Sequence, residues 1–361
     1  MKFLIIAFHP RSMTPYAKQY EDAISKAGYT YDILFWDRFS NATLEKKNNE
    51  FIFHRICTLG GNRLKKVYPF YLFRKTLKRI IANGKYDKII ILNTMPGFLL
   101  HDILLHQYKN RFILDIRDYT YEKFSFYLNI VLRLIRNSYF TTISSRGYKL
   151  FLGDNDKIIV NHNISNLEQL EDKPTLVKDK KNITIGFVGA VRYFEENAVL
   201  IQKLKNSNYK LVYNGREAAD CHLEKFCKDH GISNVEFCGA FKNEEKPALY
   251  KKIDIINSLY GNQKIDVQTS LPNRLYDALI FKKPLIATEG TYLAKVVEKY
   301  ELGFTLPGSQ DSKDKLYLSK IQQYIQNFDE KQFVDHAEIL LEKVKREQME
   351  FHQKIDKFVL Q

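Results

Sequence analysis

The sequence predicts an α/β protein of two parallel-sheet domains followed by C-terminal helices, and three observations carry that expectation. Its 361 residues exceed one ordinary domain and suit two, each large enough to bury a core without staples. Short β-branched and aromatic runs alternate with amphipathic stretches from end to end, which is the pattern of βαβ units. Hydrophobic residues at 45% and charged residues at 27% give a globular balance that excludes a disordered or fibrous chain.

Taken in order, the first half offers strands at 2–8, 31–36, 88–93, 111–116, 139–143 and 157–160. The opening MKFLIIAFHP meets a Pro and charges with no small-residue cleavage site, so it reads as a buried strand and not a signal peptide. The polar, Pro-containing stretch 166–182 reads as a linker between a domain at 1–165 and a second at 183–310. Strands resume at 183–188, 210–213, 235–238, 253–257 and 284–287, and 311–361 reads as helices, with the option of packing back on the first domain. No stretch approaches 18 uninterrupted apolar residues. Cys57, Cys221, Cys227 and Cys238 form no C-x-x-C pair, and with His222 and His230 their spacing matches no closed zinc site, so no metal is expected.

Charge separates the halves. Residues 1–165 carry 26 Lys and Arg against 13 Asp and Glu, whereas the remainder carry 30 against 29. Between Arg55 and Lys88 lie ten basic residues and one acid, Asp87. This asymmetry points to an anionic partner of the first half, or to a solvated basic face. From Phe70, apolar residues recur at Phe73, Leu77 and Ile80 with Arg74, Lys75, Lys78 and Arg79 around them. The segment 55–79, from Arg55 to Arg79, is therefore expected to meet an anionic membrane surface, although the same stripe would also suit the domain core. Among 23 Tyr and 25 Phe no recognised nucleic-acid module appears, so no nucleic-acid partner is expected.

In open parallel sheets ligands bind beyond the C-terminal strand ends, and two such halves are expected to face a cleft. Strand ITIGFVG ends at Gly189, with Arg192 just after it; glycine admits a ligand close to backbone, and Arg pairs with phosphate, though a turn glycine and a surface Arg fit equally. In TSLPNRLYDALIFKKPLIA, Thr269 and Ser270 are expected to cap a helix that runs to about Ile280. Its N-terminal N–H groups and Arg274 would make an anion site, with Asp277 a turn further on to accept from sugar hydroxyls. An ordinary capped helix shows the same pattern.

The order FVGAVRYF, KLVYNG, NVEFCGAF, KIDIINSLY, LPNRLYDALIFKKPLIAT and LGFTL over residues 183–307 resembles the nucleotide-sugar domain of GT-B glycosyltransferases, in their retaining, surface-polysaccharide branch. The resemblance implies two Rossmann-like domains, a nucleotide diphosphate sugar as donor (UDP-sugar before GDP-sugar), no required cofactor, and retention at the anomeric carbon. It places Gly189, Arg192, Ser270, Leu271 and Arg274 on the donor diphosphate and Asp277 on the ribose. Thr269 stands where that family has the first Glu of E-x7-E. On the acceptor side, RFILDIRDYTYE places Asp115, Arg117, Asp118 and Glu122 at a strand end, similar to L-x-x-R-D, with His9 and Arg11 after the first strand. Asp118, Glu122 and His9 are the expected catalytic side chains, orienting or deprotonating a hydroxyl of a lipid-linked or polymeric glycan; an ion pair of Arg117 with a neighbouring acid fits equally. Such an enzyme would work in the cytoplasm, peripheral on the inner face of the plasma membrane. A catalytically silent nucleotide-sugar-binding protein and a nucleotide-sugar epimerase remain open on the sequence.

Overall fold

The computed structural model describes residues 1–39, 48–57, 64–164, 183–311 and 316–361. The expected linker 166–182 and Arg63 lie outside the described residues. The chain divides into two compact units, one of Met1–His162 with Arg346–Gln361 and one of Asn163–Lys345.

The first unit holds β1 (Lys2–Ala7), β2 (Thr30–Asp37), β3 (Glu50–His54), β4 (Lys88–Leu92), β5 (Phe112–Ile116), β6 (Phe140–Ile143) and β7 (Ile158–Val160). They form a seven-stranded parallel sheet in the order β3-β2-β1-β4-β5-β6-β7. Both faces of the central strands are covered, so β1 and β4 read as near-continuous apolar runs and successive residues feed opposite cores. In β1, Leu4 and Ile6 enter one cluster with Leu34, Phe73 and Leu77, while Phe3, Ile5 and Ala7 enter another with Tyr20, Phe351 and Phe358.

The second unit holds β8 (Thr184–Val188), β9 (Lys210–Asn214), β10 (Val235–Gly239), β11 (Ile255–Ser258), β12 (Leu285–Thr288) and β13 (Gly303–Leu306), all parallel in the order β10-β9-β8-β11-β12-β13. Both sheets are thus of the doubly wound kind, with helices on each face. Eleven strands lie where the apolar runs predict them; β3 and β13 were not expected. Each is a short edge strand with few fully buried residues, EFIFH and GFTL, and so lacks the continuous apolar run of a central strand.

The last helix, Glu330–Leu360, contributes Phe333, Ala337, Leu340, Leu341 and Val344 to a core of the second unit. Further along, Phe351, Ile355, Phe358 and Val359 enter a core of the first unit. Lys88 fixes its end by donating from Nζ to the Phe358 carbonyl, with the ammonium over the Phe3 and Phe358 rings. At the second residue past the division between units, Glu347 accepts from Arg146 Nη2 at 2.6 Å and pairs with His162 Nε2 at 2.7 Å. Burial opposes ionisation of Glu347, but the hydrogen bonds from His162 and Arg146 outweigh it and hold the carboxyl down to about 2. A carboxyl depressed on folding stabilises above its unfolded value of about 4.5, and that stabilisation is lost as pH falls toward the folded value. By linkage the full shift is worth about 3 kcal/mol, and solvent screening at this partly exposed site lowers it, so Glu347→Gln should cost about 2 kcal/mol at pH 7, and the difference from wild type should shrink between pH 5 and pH 2 in denaturant titrations. A difference that is constant with pH would show that the ionised carboxylate is not what holds this turn.

Candidate functional site

In the second unit the residues of interest gather where β8 and β11 end. β8 runs out at Val188, and Gly189 follows with φ of 134°, in a region where side chains are strained. A Cβ on Gly189 would meet nothing within 4 Å, so its outer side is open. Its inner side is not, since a Cβ at Gly215 would stand 1.7 Å from the Gly189 carbonyl oxygen; backbone packs on backbone there. Arg192 is exposed in the loop that follows. Tyr193 then takes a left-handed conformation, φ 62° and ψ 62°, immediately before the helix Phe194–Leu204. Its ring lies on that of Tyr260, with centroids 4.7 Å apart.

Arg274 is only 4% exposed. Its guanidinium lies over the Phe187 ring at 3.6 Å and the Tyr260 ring at 4.6 Å. Nη1 donates to the Asn257 carbonyl at 3.1 Å, and Nη2 donates to the Tyr260 hydroxyl. No carboxylate pairs with it among the described residues. A buried cation held only by ring faces and neutral oxygens keeps most of its charge available to an incoming anion.

Asn197 ties this arginine to the Gly189–Tyr193 loop. It is fully buried, and its Nδ2 donates to the carbonyls of Arg192 at 3.0 Å and Tyr193 at 3.1 Å. Its Oδ1 accepts from the Tyr213 hydroxyl at 3.1 Å and from Asn257 Nδ2 at 2.9 Å. All of the side chain's hydrogen-bonding capacity is therefore used. The sequence offered one trace of this, an Asn among the apolar positions of an amphipathic helix; Tyr193 and Tyr260 left no trace that separates them from core aromatics.

The helix bearing Arg274 is Asn273–Ile280, and it starts later than the sequence suggests. Pro272 occupies the N-cap with φ −74° and ψ 156° and no side-chain cap. Proline disfavours helical backbone in the residue before it, so Thr269 and Ser270 cannot lead into this helix. Thr269 instead closes the helix Ile265–Thr269, its Oγ1 donating to the Ile265 carbonyl at 2.6 Å. Ser270 is half-buried and Leu271 is buried in the core, both in the extended connection. Asp277, three residues after Arg274, is buried and already accepts from the Tyr250 hydroxyl at 2.8 Å and from Lys246 Nζ at 3.1 Å.

In the first unit the expected acceptor-side residues divide. Asp115 lies inside β5, fully buried and not at a rim, because it accepts from Tyr20 at 2.8 Å and from Arg117 Nε at 2.7 Å. Arg117 is buried with it and donates onward to the Asn161 carbonyl. Glu122 is buried too, accepting from Thr94 Oγ1 at 2.7 Å and from the Thr120 backbone. Arg11 is engaged by Glu21 at 3.0 Å and Glu50 at 2.6 Å. Asp118 is exposed, 3.4 Å from the side-chain nitrogen of Asn93, a non-glycine residue at φ 88°. Burial and the Arg38 charge push the His9 imidazole down to about 4, so it is neutral at pH 7, and its buried Nδ1 has no hydrogen-bond partner.

The sequence model of the family described as glycosyl transferases group 1 matches residues 168–355, more than half of the chain. The chain belongs to that family. It is a glycosyltransferase that uses a nucleotide sugar. No curated protein matches the sequence. Among solved structures, the glycosyltransferase resembles HepE of Anabaena in complex with UDP at TM-score 0.69 and 14% identity, covering 99% of this chain and 100% of that one. Sucrose-phosphate synthase of Thermosynechococcus elongatus matches at TM-score 0.68 and 13% identity over 100% and 96% of the two chains. The lipopolysaccharide outer core galactosyltransferase WaaB matches at TM-score 0.63 and 11% identity over 100% and 99%. These likenesses establish the GT-B fold.

If Arg274 is the anion-binding group of this glycosyltransferase, Arg274→Gln should weaken UDP binding about ten- to a hundredfold, the worth of a charge-assisted hydrogen bond, and leave uridine within twofold. Calorimetry with both ligands decides it; equal losses for the two would return Arg274 to a packing role.

Proposed function

We propose that the enzyme transfers a sugar from a UDP-sugar to a hydroxyl of a lipid-linked or polymeric glycan in surface-polysaccharide synthesis, with retention at the anomeric carbon. The observation that carries the donor half is the buried Arg274, with no carboxylate partner among the described residues, lying over Phe187 of the strand that leads into the open backbone at Gly189. As the bond from sugar to diphosphate breaks, negative charge grows on the leaving oxygen. A cation already fixed by Phe187, Tyr260 and Asn257 stabilises that charge without reorganising. Arg192, exposed at the loop, adds a second charge, and the Ser270–Pro272 connection offers backbone at the head of the Arg274 helix.

In this reading Asp277 serves the ribose through the capacity that Tyr250 and Lys246 leave on its carboxylate. The first unit supplies the acceptor-side groups: Asp118, exposed, to orient the hydroxyl, and neutral His9 as a hydrogen-bonding partner. Buried Asp115, Arg117 and Glu122 hold the loops around Asp118 and do not touch substrate. A uridine donor is supported by HepE of Anabaena, solved with UDP and with UDP and glucose.

The reading is tested by offering UDP-glucose, UDP-galactose, UDP-N-acetylglucosamine and GDP-mannose with and without membrane lipid extract, and measuring released nucleotide. Release of UDP, accelerated by the extract and cut at least tenfold by Asp118→Asn while UDP affinity is unchanged, is the expected result. Release of GDP alone would overturn the uridine assignment, and full activity in Asp118→Asn would remove that residue from the acceptor site.

A further inference from the structure

The helix Leu64–Gly84 has two apolar faces. One is occupied: Phe73, Leu77, Ile80 and Ile81 are buried in the first unit's core with Phe70 packed against them. That accounts for the stripe legible in the sequence. The second face is a different set of residues. Leu64, Val67, Tyr68 and Tyr71 follow one another at the spacing of a single helical stripe and are 80%, 62%, 57% and 60% exposed. Ile56 is 65% exposed, and its sequence neighbour Arg55 sits over the Tyr68 ring of this face at 5.3 Å.

Charge follows the same face. Past Tyr71, the helix period brings Lys75, Lys78 and Arg79 onto it over the next two turns, and the helix contains no acidic residue. Arg74 and Lys78 are tied to Asp102 at 2.8 and 2.9 Å. Lys65, Lys75 and Arg79 carry no ion pair among the described residues. One exposed face therefore begins aliphatic and aromatic and ends cationic.

We propose that this face docks the protein on an anionic lipid bilayer. Both halves of the face are then satisfied: the apolar end enters the headgroup boundary, tyrosines sit at the level they favour, and the basic end meets lipid phosphates. A polyanion such as nucleic acid would answer the charge and leave the apolar stripe in water. No helix among the described residues is long and apolar enough to cross a membrane, so the mode is lying on the surface and not spanning it. The inference stands on this surface alone and does not rest on the donor or acceptor assignment.

The test is sedimentation of the full chain with vesicles of phosphatidylcholine alone or mixed with phosphatidylglycerol, with neither nucleotide nor glycan present. Wild type should bind the mixed vesicles and release at high salt. Lys75→Gln with Arg79→Gln should weaken binding about 25-fold, since each basic residue near an anionic surface contributes about 1 kcal/mol. Val67→Ser with Tyr71→Ser, both at exposed positions, should weaken it at least about tenfold from lost apolar contact. Circular dichroism and UDP affinity should be unchanged in both variants, which separates a failure of docking from a failure of the donor site. Equal binding to both vesicle types, or none, overturns the proposal. So does a wild type that self-associates in sedimentation equilibrium while the serine variant is monomeric and binds vesicles normally, because the face would then join two copies of the chain.

Discussion

Arg274 carries a positive charge inside the second unit, and no carboxylate among the described residues meets it. Taking such a group out of water costs several kcal/mol, and two ring faces with two neutral oxygens return only part of that. The arrangement persists because the groups around the guanidinium are themselves fixed. Phe187 belongs to a central strand, Asn257 to its neighbour β11, and Tyr260 to the turn that follows. The charge is thus kept in a rigid setting.

The loop opposite Arg274 depends on the same framework. A tyrosine in the left-handed region is costly, and Tyr193 is held there by the Asn197 side chain on two consecutive carbonyls and by the tilted contact of its ring with Tyr260. Asn197 also takes a hydrogen bond from Asn257, whose own carbonyl receives Arg274. A displacement of one part is therefore felt by the others, and the Gly189 backbone stays positioned because Gly215 lets the neighbouring chain pass against it. The site is a property of the unit's packing more than of any single loop.

How much of this was legible in the sequence follows from which forces are local. The central strands announced themselves because burial on both faces demands unbroken apolar runs, while the edge strands β3 and β13 face that demand on fewer positions. Arg274 was legible as a basic residue near a helix start, but its burial and its lack of an acidic partner among the described residues were not, since both depend on Phe187 and Tyr260 arriving from elsewhere. The converse holds for Asp115 and Arg117: two residues apart at a strand end, they read either as rim residues or as an ion pair, and the structure has the ion pair, made core by Tyr20 and Asn161. The cap expected from Thr269 and Ser270 failed against Pro272, whose effect on its predecessor outweighs their side-chain preference. The stripe read along 70–80 was correct as a stripe, and its core-facing side hid the exposed one at Leu64, Val67, Tyr68 and Tyr71.

The most direct measurement of the central claim is a crystal structure of the chain with UDP. In that structure the diphosphate oxygens should accept hydrogen bonds from the Arg274 guanidinium, with the chain at Gly189 against them and the ribose toward Asp277. A nucleotide bound elsewhere, with Arg274 still engaged only by Phe187, Tyr260 and Asn257, would contradict it.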